Sequence, residues 1–254
     1  MHRYFLYLSY DGTRYHGWQI QPNGISVQQV VQNALSTILR TPVSVTAAGR
    51  TDAGVHALLM PAHFDVPSPI DSALLTDKLN RLLPPDVATL RIIPVTPKAH
   101  ARFDAISRTY HYYIHFHKSP FLHTHSLRLF KMLNFERMNQ AAALIPQYSD
   151  FTSFSKVDTD TKTNICHIMR AVWTELHPDE WRFEIEADRF LRNMVRAIVG
   201  TLIEVGRERM TIQDFCNIIE RRDRRIAGQS VPAHALFLVN VTYPAKCFEV
   251  SEKS

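Results

Sequence analysis

Apolar periodicity in this chain switches between strand and helix in an order that occurs twice, and that repetition is its strongest constraint on fold. Tyr4, Leu6, Leu8 and Tyr10 alternate as a strand does before Asp11-Gly12 breaks the run. Ser26-Val-Gln-Gln29 has capping-box form, in which the serine hydroxyl takes the third helical amide and the glutamine reaches back. Val27, Val30, Val31, Ala34, Leu35, Ile38 and Leu39 follow at helical spacing until Thr41-Pro42 stops them. Strands are expected near 43–48 and 57–66, then a helix over 71–83 ending at Pro84-Pro85, then a strand from Val87 to Val95. The order is β-α-β-β-α-β, the split βαβ pattern.

From residue 107 the same order returns. Residues 107–117 alternate, with Tyr110, Tyr112, Ile114 and Phe116 on one face and His111, Tyr113, His115 and His117 on the other. A helix near 134–146 precedes strands around 165–177 and 181–187. The latter turns Trp181, Phe183, Ile185 and Ala187 inward and Arg182, Glu184, Glu186 and Asp188 outward. Helices at about 189–205 and 211–221 and a strand from Ala235 to Tyr243 complete the set, with one helix extra. The expectation is α+β: two tandem ferredoxin-like modules, 1–103 and 104–250, with antiparallel sheets meeting at a central cleft, and a tail at 251–254. A chain of 254 residues is long enough to bury such cores. The halves share element order rather than evident sequence identity, and the junction near 97–107 does not read as a flexible linker.

Composition narrows the class. No apolar run approaches the ~20 residues that cross a bilayer, and Met1 to Tyr10 alternates like a strand instead of forming a secretory leader. Cys166, Cys216 and Cys247 are scattered and odd in number, so neither a disulfide framework nor a zinc knuckle is expected. The chain reads as cytoplasmic, with no membrane partner. Its formal net charge of +5 favours a polyanionic partner. Arg189, Arg192, Arg196, Arg207, Arg209, Arg221, Arg222, Arg224 and Arg225 cluster late, as a phosphate-binding surface or a solvated helix face would.

Two constellations carry chemistry. Gly49-Arg-Thr-Asp-Ala-Gly-Val-His-Ala57 sets Arg50 and Asp52 on a turn bounded by two of only eight glycines. Aspartate and glycine also build ordinary structural turns; the position between two apolar segments, at the edge of a sheet, is what makes Asp52 a candidate. Asp188 to Gly200 reads as a buried helix, apolar almost all round, with Arg189, Arg192, Asn193 and Arg196 as one polar stripe. A buried arginine needs an anion, because an unpaired buried charge is strongly destabilising. For Arg196, the most interior, Glu204 and Asp52 both qualify.

Other groupings carry less. His111, His115, His117, His123 and His125 have no acid or cysteine at zinc spacing, which favours exposed histidines beside water or RNA over a metal site. Glu184 and Glu186 share one outer strand face, where solvated charges are usual, rather than opposing each other as glycosidase carboxylates do. Cys166 and His167 are strand neighbours and point apart, so they do not form a nucleophile pair. There is no GxGxxG and no Walker-type loop. Asp150, Asp158 and Asp160 sit in a polar stretch that reads as a loop.

Taken in order, the motifs resemble the tRNA pseudouridine synthases of the TruA type, nearly end to end. Tyr10-Asp-Gly-Thr-Arg-Tyr-His-Gly-Trp-Gln19 is similar to the family's amino-terminal signature, Ser26-Val-Gln28 to the opening of its first helix, and Gly49 to Ala57 to its active-site loop. Leu79-Asn-Arg-Leu-Leu-Pro84, Ala101-Arg-Phe103, Arg108-Thr-Tyr110 and Phe190-Leu-Arg-Asn-Met-Val-Arg-Ala-Ile-Val-Gly200 follow in the family's order. The resemblance implies that Asp52 is the catalytic aspartate, Arg196 its basic partner and Tyr110 the aromatic hydroxyl against the target base. It implies substrate contacts from Arg50, Arg14, Arg189 and Arg192. It further implies isomerisation of uridine to pseudouridine at positions 38, 39 and 40 of the tRNA anticodon stem-loop, by a homodimer, with no metal and no cofactor.

Two departures from the family pattern stand out. Leu59-Met60-Pro61 replaces the usual glutamine and valine, and Pro61 has no amide to give a ladder, so its strand is expected at an edge or bulged. Ala235 stands where the family has glycine, which alters any tight turn there. The residues alone also admit a non-catalytic RNA-binding module, since the same element order suits RNA-recognition folds. They admit as well a uridine hydrolase that would release uracil.

Overall fold

The computed structural model describes residues 1–156 and 163–249; Asp158, Asp160 and the tail 251–254 lie outside them. The chain is mixed α+β with mostly antiparallel strand pairing. It divides into two compact units, Met1–Ser107 with the chain from Leu238 onward, and Arg108–Phe237.

In the first unit β1 (His2–Tyr10) is central, pairing antiparallel with β3 (His56–Val66) on one side and β4 (Val87–Val95) on the other. Between them come α1 (Val27–Leu39), the short β2 (Thr46–Ala47) and α2 (Ser72–Leu82). Ser26 caps α1 by accepting the Gln29 amide at 3.2 Å, and Asp71 caps α2 by accepting from Leu74 at 2.9 Å. β1 is buried on both faces, not one. Tyr4, Leu6, Leu8 and Tyr10 form the expected face, but Phe5 and Tyr7 are covered too, Phe5 by the rings of Tyr243 and Phe248 at 4.9 and 6.1 Å. Each such ring contributes about 1.5–3 kcal/mol on burial.

β2 is two residues where six were expected, and side chains explain the difference. Val43 N donates to the Ser36 hydroxyl at 3.0 Å. Val45 N donates to Gln32 Oε1 at 2.9 Å, and its carbonyl accepts from Gln28 Nε2 at 2.8 Å. The segment is therefore bonded to α1 before it reaches the sheet. Pro61 sets the other limit. It does not lie on an edge strand: β3 has β1 on one side and β2 on the other. Its carbonyl accepts the Ala48 amide at 2.8 Å, so its nitrogen faces the same way and Pro61 returns no donor to Ala48. The β2–β3 ladder ends there, and the chain leaves the sheet directly into Gly49 to Asp52. β3 is bulged, as the second alternative expected, between Ala57 and Met60, the partners of Tyr10 and Leu8, on the residues that lead into Pro61.

In the second unit β5 (Ser107–His115) pairs antiparallel with β8 (Glu180–Ala187), which pairs with β7 (Ile168–His177); β6 (Leu127–Arg128) lies parallel to β5. The helices are α3 (Phe135–Ala142), α4 (Met194–Gly206) and α5 (Ile212–Arg221); β9 (Leu236–Thr242) follows in the chain, its residues from Leu238 onward belonging to the first unit. Trp181 stacks on Phe135 with centroids 3.5 Å apart, and Phe183, Ile185 and Ala187 are buried as expected. α3 stops short of residue 146 because Pro146 disfavours helix at Ile145, and a 3-10 turn over Ile145–Gln147 takes its place. α4 begins five residues later than the periodicity suggests. Asn193 adopts φ 66°, a left-handed conformation that asparagine tolerates and that breaks the helix. At Ala235 a 3-10 turn over Ala233–Ala235 leads into β9, and no glycine is needed.

Among the described residues β4 and β7 each pair with a single strand, and an asparagine closes part of each open edge. Asn80 accepts from Thr89 N at 2.7 Å and donates to Thr89 O at 2.8 Å. Asn139 does the same for Trp173, at 2.7 and 3.0 Å. No helix among the described residues is long and apolar enough to cross a membrane.

Candidate active site

The loop carrying Asp52 is built by the amino-terminal segment that wraps it. Thr51 is buried; its hydroxyl meets Tyr10 Oη at 2.9 Å and its carbonyl accepts from Trp18 N at 3.2 Å. Val55 N donates back to Asp52 O at 3.1 Å, and Gly54 N donates to Tyr15 O at 3.4 Å. Gly54 has φ 78°, which is why a glycine ends this turn. Gly49 is different: a Cβ there would meet nothing within 4 Å, so it is not required sterically. The close approaches are on the opposite strand of chain. A Cβ on Gly12 would overlap the Val55 carbonyl oxygen, and one on Gly17, at φ 85°, would overlap that of Thr51. Asp52 is half-buried and Arg50 exposed.

A second tier fixes this segment in turn. Tyr15 Oη donates to Asp86 Oδ1 at 2.7 Å, and burial together with that carboxylate raises the phenol's pKa. Arg14 binds the other oxygen of Asp86 through Nε at 2.8 Å and Nη2 at 2.5 Å. Its guanidinium is thus held in an ion pair at the surface. The Gly12 amide donates to His56 Nδ1 at 3.0 Å, and Asp11 Oδ1 lies 3.1 Å from the same ring nitrogen. Tyr10, Gly12, Tyr15, Gly17 and Trp18 are all in the signature segment; their supporting roles are set by tertiary contacts that spacing does not show.

Tyr110 and Arg196 belong to the second unit. Tyr110 lies on β5 opposite Ile185, half-buried, with its ring edge-on to Phe190 at 5.1 Å and 87°. Arg196 sits in the first turn of α4, where its Nε donates to Val231 O at 2.7 Å while its own carbonyl accepts from Val231 N at 3.2 Å. Glu204 is not its partner: that carboxylate takes Arg207 at 2.6 Å and Arg209 at 3.6 Å. Arg189 and Arg192 precede the helix, so the four polar residues do not form a stripe on one helical face.

Several other readings change. His115 is buried against Ser126 at 2.9 Å, and His111 meets Glu184 at 3.1 Å, so neither is an exposed strand histidine. Glu184 is not a solvated charge either; Arg170 and Arg182 reach it at 2.7 and 3.5 Å. Cys166 and His167 lie just before β7 instead of on it, and burial pushes the Cys166 thiol up to about 12. An inert thiol results. The late arginines are partly spent on acids: Arg222 on Asp150 at 3.1 Å, Arg225 on Asp223 at 2.7 Å.

Comparison with known proteins supplies the class of chemistry. A family model described as tRNA pseudouridine synthase matches residues 7–104 and 148–244. A tRNA pseudouridine synthase A from Parabacteroides distasonis is 60% identical over 253 residues, 99% of this chain and 100% of the relative. One from Bacteroides thetaiotaomicron is 58% identical over 255 residues, covering 100% and 95%. A more distant one, from Geobacter sulfurreducens, is 39% identical over 240 residues, covering 94% and 98%. The wrapped Asp52 loop therefore sits within a match that runs the length of the chain, which belongs to the tRNA pseudouridine synthase family.

Proposed function

We propose that this chain isomerises uridine to pseudouridine at positions 38, 39 and 40 of the tRNA anticodon stem-loop, with Asp52 as the catalytic carboxylate and without metal or cofactor. As a family member the protein is an isomerase acting on tRNA. The observation that carries the residue assignment is the loop: both neighbours of the Asp52–Ala53 pair are fastened to Tyr10, Tyr15 and Trp18, while Asp52 itself stays half-buried. Such fixing suits a reaction that must break and remake a bond at one sugar carbon. The C1′–N1 bond breaks, the uracil turns, and C1′ bonds to C5; the proton that leaves C5 is balanced by one gained at N1.

Asp52 attacks or stabilises the sugar or base, Arg196 is its basic partner, and Tyr110 receives the flipped base against its ring. Water must be kept from the cleaved intermediate. Arg50, exposed beside Asp52, and Arg189 and Arg192 contact the nucleotide or its phosphates, which position the RNA without reading its sequence. Arg14 does so by exchanging Asp86 for phosphate. On this reading the two halves are tandem ferredoxin-like modules, an idea supported by one family model matching a stretch in each. The enzyme works as a cytoplasmic homodimer. Primer extension on carbodiimide-treated tRNA transcripts tests the assignment: stops are expected at 38–40. Stops elsewhere overturn the site, and no stop on any transcript overturns the reaction.

A further inference from the structure

Among the late arginines, Arg224 is engaged unlike its neighbours. Arg222 and Arg225 bind carboxylates, whereas the Arg224 guanidinium gathers three neutral oxygens of its own downstream chain. Its Nη1 reaches Ala227 O at 3.4 Å and Gly228 O at 3.2 Å, and its Nη2 donates to Ser230 Oγ at 2.9 Å. What it supplies is direction, not charge cancellation. The segment it gathers lies along α4 as a strap. Gly228 N donates to Thr201 Oγ1 at 3.0 Å, a Cβ on Gly200 would overlap the Gln229 carbonyl oxygen, and Asn193 Nδ2 donates to Ser230 Oγ at 2.6 Å. The strap ends on Val231, which exchanges two hydrogen bonds with Arg196. Beyond it, Tyr112 Oη donates to Pro232 O at 3.0 Å from the buried face of β5.

We propose that Arg224 is a positioning residue for Arg196: it holds the strap so that the Val231 carbonyl engages Arg196 Nε and fixes which edge of that guanidinium faces the reacting groups. This rests on the catalytic reading of Arg196 given above. An arginine fork is directional and planar, so tying Nε to one carbonyl fixes the direction in which the Nη1–Nη2 edge points. A loosened strap leaves the charge of Arg196 in place and its orientation undefined. Arg224 is then no phosphate contact, although it lies in the basic cluster.

The test is single-turnover pseudouridine formation with saturating enzyme, alongside tRNA binding across a salt series, for Arg224→Ala, Arg196→Lys and the double variant. Arg224→Ala is expected to slow the single-turnover rate by about ten- to hundredfold, the scale of a displacement near 1 Å, with binding and its salt slope unchanged. In the Arg196→Lys background, where the Nε bond is already lost, Arg224→Ala is expected to add less than about a twofold loss. Weakened binding with a salt slope reduced by about 0.9, at an unchanged saturated rate, would make Arg224 a phosphate contact and overturn the proposal. Losses that multiply in the double variant would overturn it too, making Arg224 a general structural residue. Arg196→Lys at the wild-type rate would remove the catalytic reading of Arg196 itself, whatever Arg224→Ala does. Should Arg224→Ala not fold, Ser230→Ala removes one of the three acceptors and must show the same rate loss, smaller, and the same silence in the Arg196→Lys background.

Discussion

Gly17→Ala is the sharpest perturbation of the Asp52 loop, because two independent costs fall on it. Gly17 has φ 85°, where an alanine costs about 1–2 kcal/mol. The added Cβ would also overlap the Thr51 carbonyl oxygen and stand 3.1 Å from the Asp52 carbonyl carbon. Neither neighbour is a flexible side-chain end, so the loop must retreat by about 1 Å to restore van der Waals contact. Overpacking of this kind adds about 1–3 kcal/mol. The sum is about 3 kcal/mol, which for a protein of this size lowers Tm by about 6–12 °C. The same retreat carries Asp52 with it and should reduce single-turnover pseudouridine formation about a hundredfold, while tRNA binding, through the phosphate contacts proposed above, should stay close to wild type. Gly49→Ala is the control: with nothing near its Cβ, its stability should stay within about 0.5 kcal/mol of wild type. Thermal melts and single-turnover kinetics on the pair decide the matter. Gly17→Ala melting and turning over like wild type would refute the claim that the amino-terminal segment pins the loop.

Burial, aided by the nearby Arg3 and His100, lowers the His63 pKa to about 4, below its value near 6.5 when unfolded. The folded state therefore favours the neutral ring: its contribution is complete above pH 6.5 and is lost as pH falls from 6.5 through 4. Urea midpoints measured over that range should flatten in His63→Gln; an unchanged slope would place the acid sensitivity elsewhere. Asn139→Ala strips Trp173 N–H and C=O of their clamp, and a loss of about 1–3 kcal/mol with faster hydrogen exchange at Trp173 is expected; unaltered exchange would mean that the edge is closed by other means. Alanine at both Arg221 and Arg222 should lower the salt slope of tRNA binding by about 1–2, at about 0.9 per phosphate contact. An unchanged slope takes that segment out of the interface.

Much of this architecture is visible in the sequence because local signals and burial agree. The cap at Ser26 and the strands Val87–Val95 and Glu180–Ala187 form where periodicity and turn residues put them. The failures share a cause: a side chain or a backbone angle, not hydrophobicity, decided the outcome. The apolar run 43–48 looks like a strand, yet Gln28, Gln32 and Ser36 capture its backbone. Residues 189–193 continue the helical pattern, yet Asn193 turns left-handed and ends it. Pro61 looks disruptive in isolation and is harmless because its missing amide points to where β2 ends. For the candidate site, the nonapeptide singles out Asp52. The residues that hold it, Tyr10, Gly12, Tyr15, Gly17 and Trp18, come from a segment distant in sequence, and only the folded chain shows whose carbonyls they meet. The same holds for Arg224, which composition groups with phosphate binders and which contacts assign to the strap over α4.

The most direct test of the central claim is tritium release from tRNA labelled at uridine C5, comparing wild type with Asp52→Asn. Forming the C1′–C5 bond must expel that hydrogen, whereas hydrolysis or binding alone need not. Release by the wild type, none from Asp52→Asn, and tRNA affinity within a few fold between them is the predicted result. Release that persists in Asp52→Asn, or its absence from the wild type with every tRNA, would contradict the account.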